Sequence, residues 1–470
     1  MTPRLLLMEP PFYRLMEGGY GLTRYPLGLG YLAAAVRAAT DWEVTAYNGD
    51  FVPRAAPFRV TYLTGQGFAK YQANLADPQA PPWQEARRVL ASCRPGVVGL
   101  SLKSPTLAAG LALARLAKEL DPGVLVVAGG PHVTAVGPAV LRHPELDMAV
   151  LGEGEATLVE LLRAWEQGRD PAQVAGLALR RGGELVATAT RAPLRDLDSL
   201  PWPRPAANQA LWDYRRYPAS AFRGLLASRG CPRGCSYCGS RRIWGGVRRR
   251  RPAAVAAEAR SLWEQRVGPL HFEDDTFGVD AAHLPDLCQG LAQGCPGLAF
   301  TCETHVSLVT PQALDSLQKA GCLGIQLGIE SGDDRVLKTM RKGFCIRQAL
   351  EACRLIRERG LRLECFFMVG LPQEDESSLG RTLRVIQALD CDKVIYSIFT
   401  PYPGTEAFAH CQRRGLIGPG FDPSLHNHQS PANCFSQHIA PTRFRELAAQ
   451  VEEAVEIKNA GRRPLAEPEP

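Results

Sequence analysis

The chain has 470 residues, 45% of them hydrophobic and 22% charged, with a formal net charge of +6. That length suits roughly two to three domains with sizeable cores, and so ordinary a composition excludes a disordered, collagen-like or disulfide-stapled chain. No apolar run nears the roughly 18 residues of a membrane span, and Leu5-Leu6-Leu7-Met8 stops at Pro10-Pro11, too short for a signal segment, so a cytoplasmic protein is expected.

In chain order, residues 1–187 read as alternating strands and helices. Leu5 to Met8 is a short apolar strand, Pro26 to Val36 starts a helix with Pro in its first turn, and Glu43 to Tyr47 alternates as a strand. Phe51 to Pro82 is rich in aromatics, Gly and Pro and reads as an irregular surface excursion. A helix from Trp83, the buried strand Val97 to Leu102, a helix from Leu107 to Leu120, and strands at Val124 to Ala128 and Met148 to Leu151 follow. Each strand ends in a glycine- or hydroxyl-bearing turn before a helix. That predicts a doubly wound, Rossmann-like parallel sheet with its ligand crevice beyond the carboxyl ends of the strands.

Residues 188–221 are proline-rich, unsuited to helix or central strand, and read as a linker. From 222 to 410 the alternation resumes, with six strands expected at Gly224 to Ser228, Leu270 to Phe272, Leu298 to Glu303, Gly324 to Leu327, Leu363 to Val369 and Lys393 to Phe399. Chemistry in such barrels collects at the carboxyl ends of the strands. Residues 411–470 form a tail with helical spacing from Arg443 to Lys458 and fraying expected from Gly461 onward. Arg241-Arg242 and Arg248 to Arg251 hold much of the positive charge and read as a solvated face or local anion site rather than a nucleic-acid patch.

Of the fourteen cysteines, one precedes the run Gly230-Cys231-Pro232-Arg233-Gly234-Cys235-Ser236-Tyr237-Cys238, which spaces three thiols as C-x3-C-x2-C in a tight loop. Three thiolates on one loop suit three irons of a [4Fe–4S] cluster and leave the fourth open. Zinc would need a fourth Cys or His, and none lies between Cys238 and His271. The scattered cysteines read as reduced, mostly buried thiols. Downstream, each expected strand end bears polar or glycine residues: Glu273-Asp274-Asp275, Glu303-Thr304-His305, Glu330-Ser331-Gly332 with Lys342, Gly370, and Tyr402.

The cysteine spacing, with Tyr237 before the last thiol, resembles the radical S-adenosylmethionine (SAM) superfamily. The turns Ser101-Leu102-Lys103-Ser104, Gly129-Gly130-Pro131-His132-Val133-Thr134 and Gly152-Glu153-Gly154-Glu155 resemble those of its cobalamin-dependent members. The resemblance implies an N-terminal cobalamin-binding domain followed by a partial (βα)6 barrel and a short helical tail. It implies cluster ligands Cys231, Cys235 and Cys238 and SAM contacts among Tyr237, Asp274, Asp275, Glu303, Glu330, Ser331, Lys342 and Gly370. It also implies cobalamin contacts from Ser101, Lys103, Ser104, Gly129, Gly130, His132, Thr134, Gly152, Gly154 and Glu155. His305, as an acid-base group, and Tyr402, facing substrate, are the expected catalytic side chains.

The Asp-x-His-x-x-Gly cobalt-ligand motif is absent, the turn reading Asn48-Gly49-Asp50-Phe51-Val52, so cobalt bound without a protein histidine is implied. The implied activity is methyl transfer to an unactivated carbon of a small molecule by a 5′-deoxyadenosyl radical and methylcobalamin, with flavodoxin or ferredoxin as electron donor and a monomeric enzyme. The alternatives are a cyclase or rearrangement enzyme that moves no methyl group and, less well supported, a cobalamin-responsive sensor. A methylthiotransferase would hold three cysteines in its N-terminal domain, where this chain has Cys93.

Overall fold

A computed structural model describes residues 2–280 and 282–461; the fraying expected at the end falls, from 462 on, outside them. The first sheet comprises β1 (Arg4–Glu9), β2 (Glu43–Asn48), β3 (Val97–Ser101), β4 (Leu125–Gly129), β5 (Met148–Val150), β6 (Leu177–Arg181) and β7 (Glu184–Ala187), ordered β2-β1-β3-β4-β5-β6-β7. β1 to β5 are parallel, and β6 and β7 turn back antiparallel. Both faces are covered, which is why Leu5-Leu6-Leu7-Met8 is apolar throughout: Leu5 and Leu7 join Leu29 and Val36 on one side, while Leu6 and Met8 join Trp83, Leu90 and Leu113 on the other. The strand order reverses between β1 and β3, so their carboxyl ends open the crevice of a doubly wound sheet.

The second sheet follows. β8 (Gly224–Leu225) leads to a short antiparallel pair, β9 (Ser228–Arg229) with β10 (Arg248–Arg249), and then to β11 (Leu270–Phe272), β12 (Phe300–Thr304), β13 (Cys322–Glu330), β14 (Arg362–Val369) and β15 (Lys393–Ile398). Its order is β15-β14-β13-β12-β11-β8, all parallel, with a helix after most strands and β8 and β15 unpaired with each other among the described residues. This is the partial (βα)6 barrel.

Several local expectations are corrected. The strand at Gly224 to Ser228 breaks after Leu225, because the Ala227 amide and Ser228 hydroxyl turn to Asp274. Phe51 to Pro82 is no loose excursion. It contains the helix Phe68–Ala76 and buries Phe68 and Tyr71 against the first sheet's outer layer. The proline-rich linker contains the helix Pro203–Ala210, since Pro203 in a first turn lacks only an amide that has no helical partner there, and Tyr217 stacks on Phe51 with centroids 3.5 Å apart. The arginine run is a solvated face only at Arg249 and Arg251, which are exposed, and all four arginines are ion-paired. Arg248 pairs with Glu153, Arg249 with Asp280, Arg250 with Asp198 and Glu258, and Arg251 with Asp198.

The C-terminal helix Pro441–Ala460 ties the two halves together. Phe444, Val451 and Val455 are buried on the barrel, and Asn459 pairs both ways with the Val394 backbone on the edge strand β15, at 2.8 and 2.9 Å. On its other side the Thr64 hydroxyl donates to Glu452 (2.8 Å) and the Thr61 hydroxyl to Glu456 (2.6 Å). Burial pushes the Glu452 carboxyl up to about 7. A raised carboxyl binds its proton more tightly folded than unfolded, so its stabilising contribution is full below about pH 4.5 and is lost as pH rises to about 7. Glu452→Gln is expected to remove that loss and be about 1–3 kcal/mol more stable than wild type at pH 8, with little difference at pH 5, as read from urea midpoints at the two pH values.

Candidate cofactor site

The cysteine loop leaves β9 at Gly230, whose φ of +94° places its missing Cβ against the Gly246 carbonyl, so only glycine fits. Asp274 and Asp275, at the end of β11, hold the loop's two sides. Asp274 accepts from Ala227 N (2.9 Å) and Ser228 Oγ (2.5 Å), and Asp275 from Gly230 N (3.1 Å) and Ser240 Oγ (2.6 Å). Farther along, Ser236 N donates to the Met340 carbonyl (3.0 Å) and Ala407 N to the Ser236 carbonyl (2.8 Å), so protein hydrogen bonds also anchor the loop between its second and third thiols.

Cys231 Sγ lies 3.3 Å from Thr276 Oγ1, Cys235 Sγ 3.9 Å from the Arg341 carbonyl, and Cys238 Sγ accepts from Ser240 N at 3.5 Å. Desolvation pushes the Cys238 thiol up to about 11, and the nearby Cys235 and Cys231 sulfurs add to this. Such thiols give up their protons to a bound cation rather than to water. Among the described residues no three His, Cys, Asp or Glu side chains converge on a single ion, and three separate thiols on one loop fit a multi-iron cluster better than zinc.

Beside the loop, inside the barrel, Tyr237 Oη donates to Glu330 Oε1 (2.9 Å), and Lys342 Nζ reaches both Glu330 Oε1 (3.1 Å) and Tyr237 Oη (3.3 Å). Glu330 has φ of +70°, a costly conformation for a side-chain-bearing residue, where β13 slips register against β14. Glu303 faces this group. Burial first, and then the Glu330 carboxylate, push its carboxyl up to about 7, and it makes no side-chain hydrogen bond among the described residues. It is free to receive a hydroxyl or ammonium group.

Other expected residues have different work. Asp274 is buried with both oxygens on the loop, and burial pushes its carboxyl to about 7, so it supports the cluster loop rather than an ammonium group. His305 accepts from Ser307 N at Nδ1 (3.2 Å), and its Nε2 donates to the Lys342 carbonyl (2.9 Å). Burial holds it down near 4, so it is a neutral strut rather than an acid-base group. Ser331 is fully buried and bonds Thr382 and Asp333 N, away from the cleft. Gly370 sits over the Phe444 ring and donates its N–H to Glu374, a fully buried carboxyl absent from the sequence expectation.

On the other side of the cysteine loop a cavity of about 450 Å³ lies over the carboxyl ends of β1, β3, β4 and β5. Ser101, Lys103, Gly129, Gly130, Thr134, Gly152, Gly154 and Glu155 line it as expected from the turns. Ser104 and His132 do not; they bond each other (3.0 Å), with His132 buried and its pKa lowered by burial to about 4. At Gly130, φ is +106° and a Cβ would stand 2.9 Å from the Leu102 carbonyl, so the turn admits only glycine. Leucines from the sheet and helix form the apolar wall, and Lys103 pairs with Glu9 (2.5 Å) at the switch point of the sheet. An apolar slot with glycine turns and hydroxyls at its lip fits the nucleotide tail of cobalamin.

Sequence reasoning missed the far wall. Arg229, two residues before Cys231, is buried, and its guanidinium pairs with Glu153 and Glu155 at 2.6 Å each; Glu153 also takes Arg248 (2.7 Å) and Leu194 N (2.8 Å). The guanidinium carbon lies 5.3 Å from the ring centroids of both Tyr31 and Trp244. The Glu153 and Glu155 turn is visible in the sequence, but a pair separated by more than seventy residues leaves no local signal. Two larger clefts lie elsewhere, on the barrel's outer helices, and none of the three loop thiols lines either one.

Residues 225–386 match the radical SAM superfamily and residues 18–162 the B12 binding domain. The chain is 26% identical over 419 residues to an uncharacterised methyltransferase of Pyrococcus horikoshii, covering 88% of this chain and 84% of the relative. It is 30% identical over 390 residues to the anaerobic magnesium-protoporphyrin IX monomethyl ester cyclase of Cereibacter sphaeroides, covering 80% of this chain but 63% of that longer protein. In fold it is similar to the radical SAM methyltransferase TsrM of Kitasatospora setae, solved with cobalamin and a [4Fe–4S] cluster, with a TM-score of 0.70 at 18% identity over all of this chain and 92% of that one.

Proposed function

The chain belongs to the radical SAM superfamily and carries a B12 binding domain, and from that premise we propose that it methylates an unactivated carbon of a small molecule. The observation that carries this reading is a buried bridge between the two cofactor seats: Arg229 leads directly into the cluster loop and ion-pairs with the Glu153-Gly154-Glu155 turn on the cobalamin side. Two cofactor seats on either side of one ion-paired wall would suit a reaction that needs both at one carbon. The methyltransferases among the relatives support the same reading.

When bound, the cluster and SAM supply a radical that takes hydrogen from carbon, and cobalamin supplies a carrier for the methyl group, with electrons from an external reductant such as flavodoxin or ferredoxin. Cys231, Cys235 and Cys238 would hold the cluster, and Tyr237, Glu303, Glu330 and Lys342 would hold SAM. Asp275 and Asp274 fix the loop that presents the thiols. Tyr237, Glu330 and Lys342 lock one another's orientation, and Glu303 offers an unpaired carboxyl beside them. The glycine turns 129–130 and 152–154 would admit the cobalamin tail. Arg229, Tyr31 and Trp244 pack together in the wall between the two seats.

A second reading, cyclisation without methyl transfer, is favoured by the 30% identity to the ester cyclase. One experiment separates them: anaerobic reconstitution with iron, sulfide and hydroxocobalamin, gel filtration, then incubation with methyl-deuterated SAM and reductant. Methyl transfer predicts retained corrinoid that acquires deuterated methyl. Retained corrinoid that never acquires the label favours cyclisation, and a bound cluster with no retained corrinoid removes both readings.

A further inference from the structure

A second cavity, of about 340 Å³, opens next to the first and shares Lys103, Pro131 and Ile243 with it. It is walled by the turn after β3, by Tyr237 and Arg242 of the cysteine loop and its following helix, and by Tyr402 and His428 beyond β15. We propose that this cavity seats the molecule to be methylated, and that this molecule carries a carboxylate or phosphate held by Arg242; the assignment of the occupant as methyl acceptor rests on the function proposed above.

Position argues first. Tyr237 lies between Cys235 and Cys238, and Lys103 lines both cavities, so a molecule here touches the cluster loop on one side and the cobalamin seat on the other. Charge argues second. The lining contains two cations and no carboxylate side chain, in contrast to the first cavity with its Glu153, Glu155 and Glu273. Lys103 is already neutralised by Glu9 at 2.5 Å. Arg248, Arg249, Arg250 and Arg251 each hold a carboxylate. Arg242, by contrast, makes no ion pair among the described residues, and its guanidinium presents a planar fork suited to a carboxylate or phosphate.

The remaining polar groups are neutral. Tyr402 Oη stands 3.3 Å from His428 Nδ1, and the His428 ring stacks on Phe12 with centroids 5.5 Å apart. Burial holds His428 down near 4, so the ring is uncharged at neutral pH and leaves the positive charge to the arginine. Pro105, Pro131, Ala135, Ile243 and Pro403 give the cavity an apolar body. Its volume is at the low end for ligand cavities, which suits a small acid with an aromatic or aliphatic body rather than a macrocycle.

The test uses cobalamin-loaded, cluster-reconstituted enzyme and three probe anions, benzoate, indole-3-carboxylate and phenyl phosphate, each titrated calorimetrically against a neutral isostere such as benzamide. At least one anion is expected to bind about tenfold tighter than its isostere. Arg242→Gln should erase that preference, Arg242→Lys should keep part of it, and both variants should keep their corrinoid through gel filtration. The proposal fails if no anion is preferred by wild type or if the preference survives in Arg242→Gln. It also fails if Arg242→Gln loses corrinoid, which would assign the guanidinium to the phosphate of the cobalamin tail. These readouts need no turnover, so an absence of methyl labelling would overturn the methyltransferase reading without touching them.

Discussion

Cys235→Ala is expected to abolish SAM cleavage while leaving cobalamin bound. The loop and its cargo are separable. Its shape is set by hydrogen bonds to Asp274, Asp275 and the Met340 carbonyl, none of which involves a Cys235 side chain. The variant should fold with its loop in place but hold two of three thiolates, and a cluster with two protein ligands is not retained. The cobalamin seat lies on the far side of Arg229 and has no cysteine in its lining. The measurement is iron content, visible spectrum and 5′-deoxyadenosine formation before and after gel filtration. Undiminished SAM cleavage in this variant would sink the assignment of the three thiols.

Arg229→Ala is expected to cost about 3–5 kcal/mol and to release cobalamin, because removing one partner leaves buried charges uncompensated. Glu153 keeps Arg248, but Glu155 loses the one ion pair it makes among the described residues. Adding Glu155→Gln to Arg229→Ala should therefore recover part of the loss, a less-than-additive cycle. The pH dependence follows from the same wall. The hydrogen bonds from Arg248 and Arg229 outweigh desolvation and hold the Glu153 carboxyl below its ordinary value. Its stabilising contribution is thus present above about pH 4.5 and is lost as pH falls through its lowered folded pKa. Denaturant titrations of wild type and Arg229→Ala should converge at acid pH. A variant as stable as wild type at pH 7, with corrinoid retained, would remove Arg229 from the bridge.

The two-sheet architecture and the cysteine loop were legible because their signals are local: apolar runs ending in glycine turns, and three thiols within eight residues. Eight of the ten residues expected at the cobalamin turns line the first cavity for the same reason, since a strand-end turn can point only to the crevice. Side-chain direction was less legible. Asp274, His305 and Ser331 occupy the expected strand ends, yet each turns to hydrogen-bond the protein, because position along a strand does not say which neighbour a side chain meets. Arg229, Glu374 and the Glu452 seam were invisible because their partners lie far away in sequence or on backbone amides. The helix Pro203–Ala210 was hidden by prolines that suit a first turn as well as a linker.

The helix Pro441–Ala460 is also the last described element to be synthesised, and this gives assembly an order. The first sheet can fold while the barrel is still being made. The Thr61 and Thr64 seam and the open edge of β15, however, both wait for Glu456, Glu452 and Asn459. Until that helix docks, the first half is held to the barrel by fewer contacts. The closing helix therefore joins the two halves last among the described elements, and it does so without contributing a residue to either cavity.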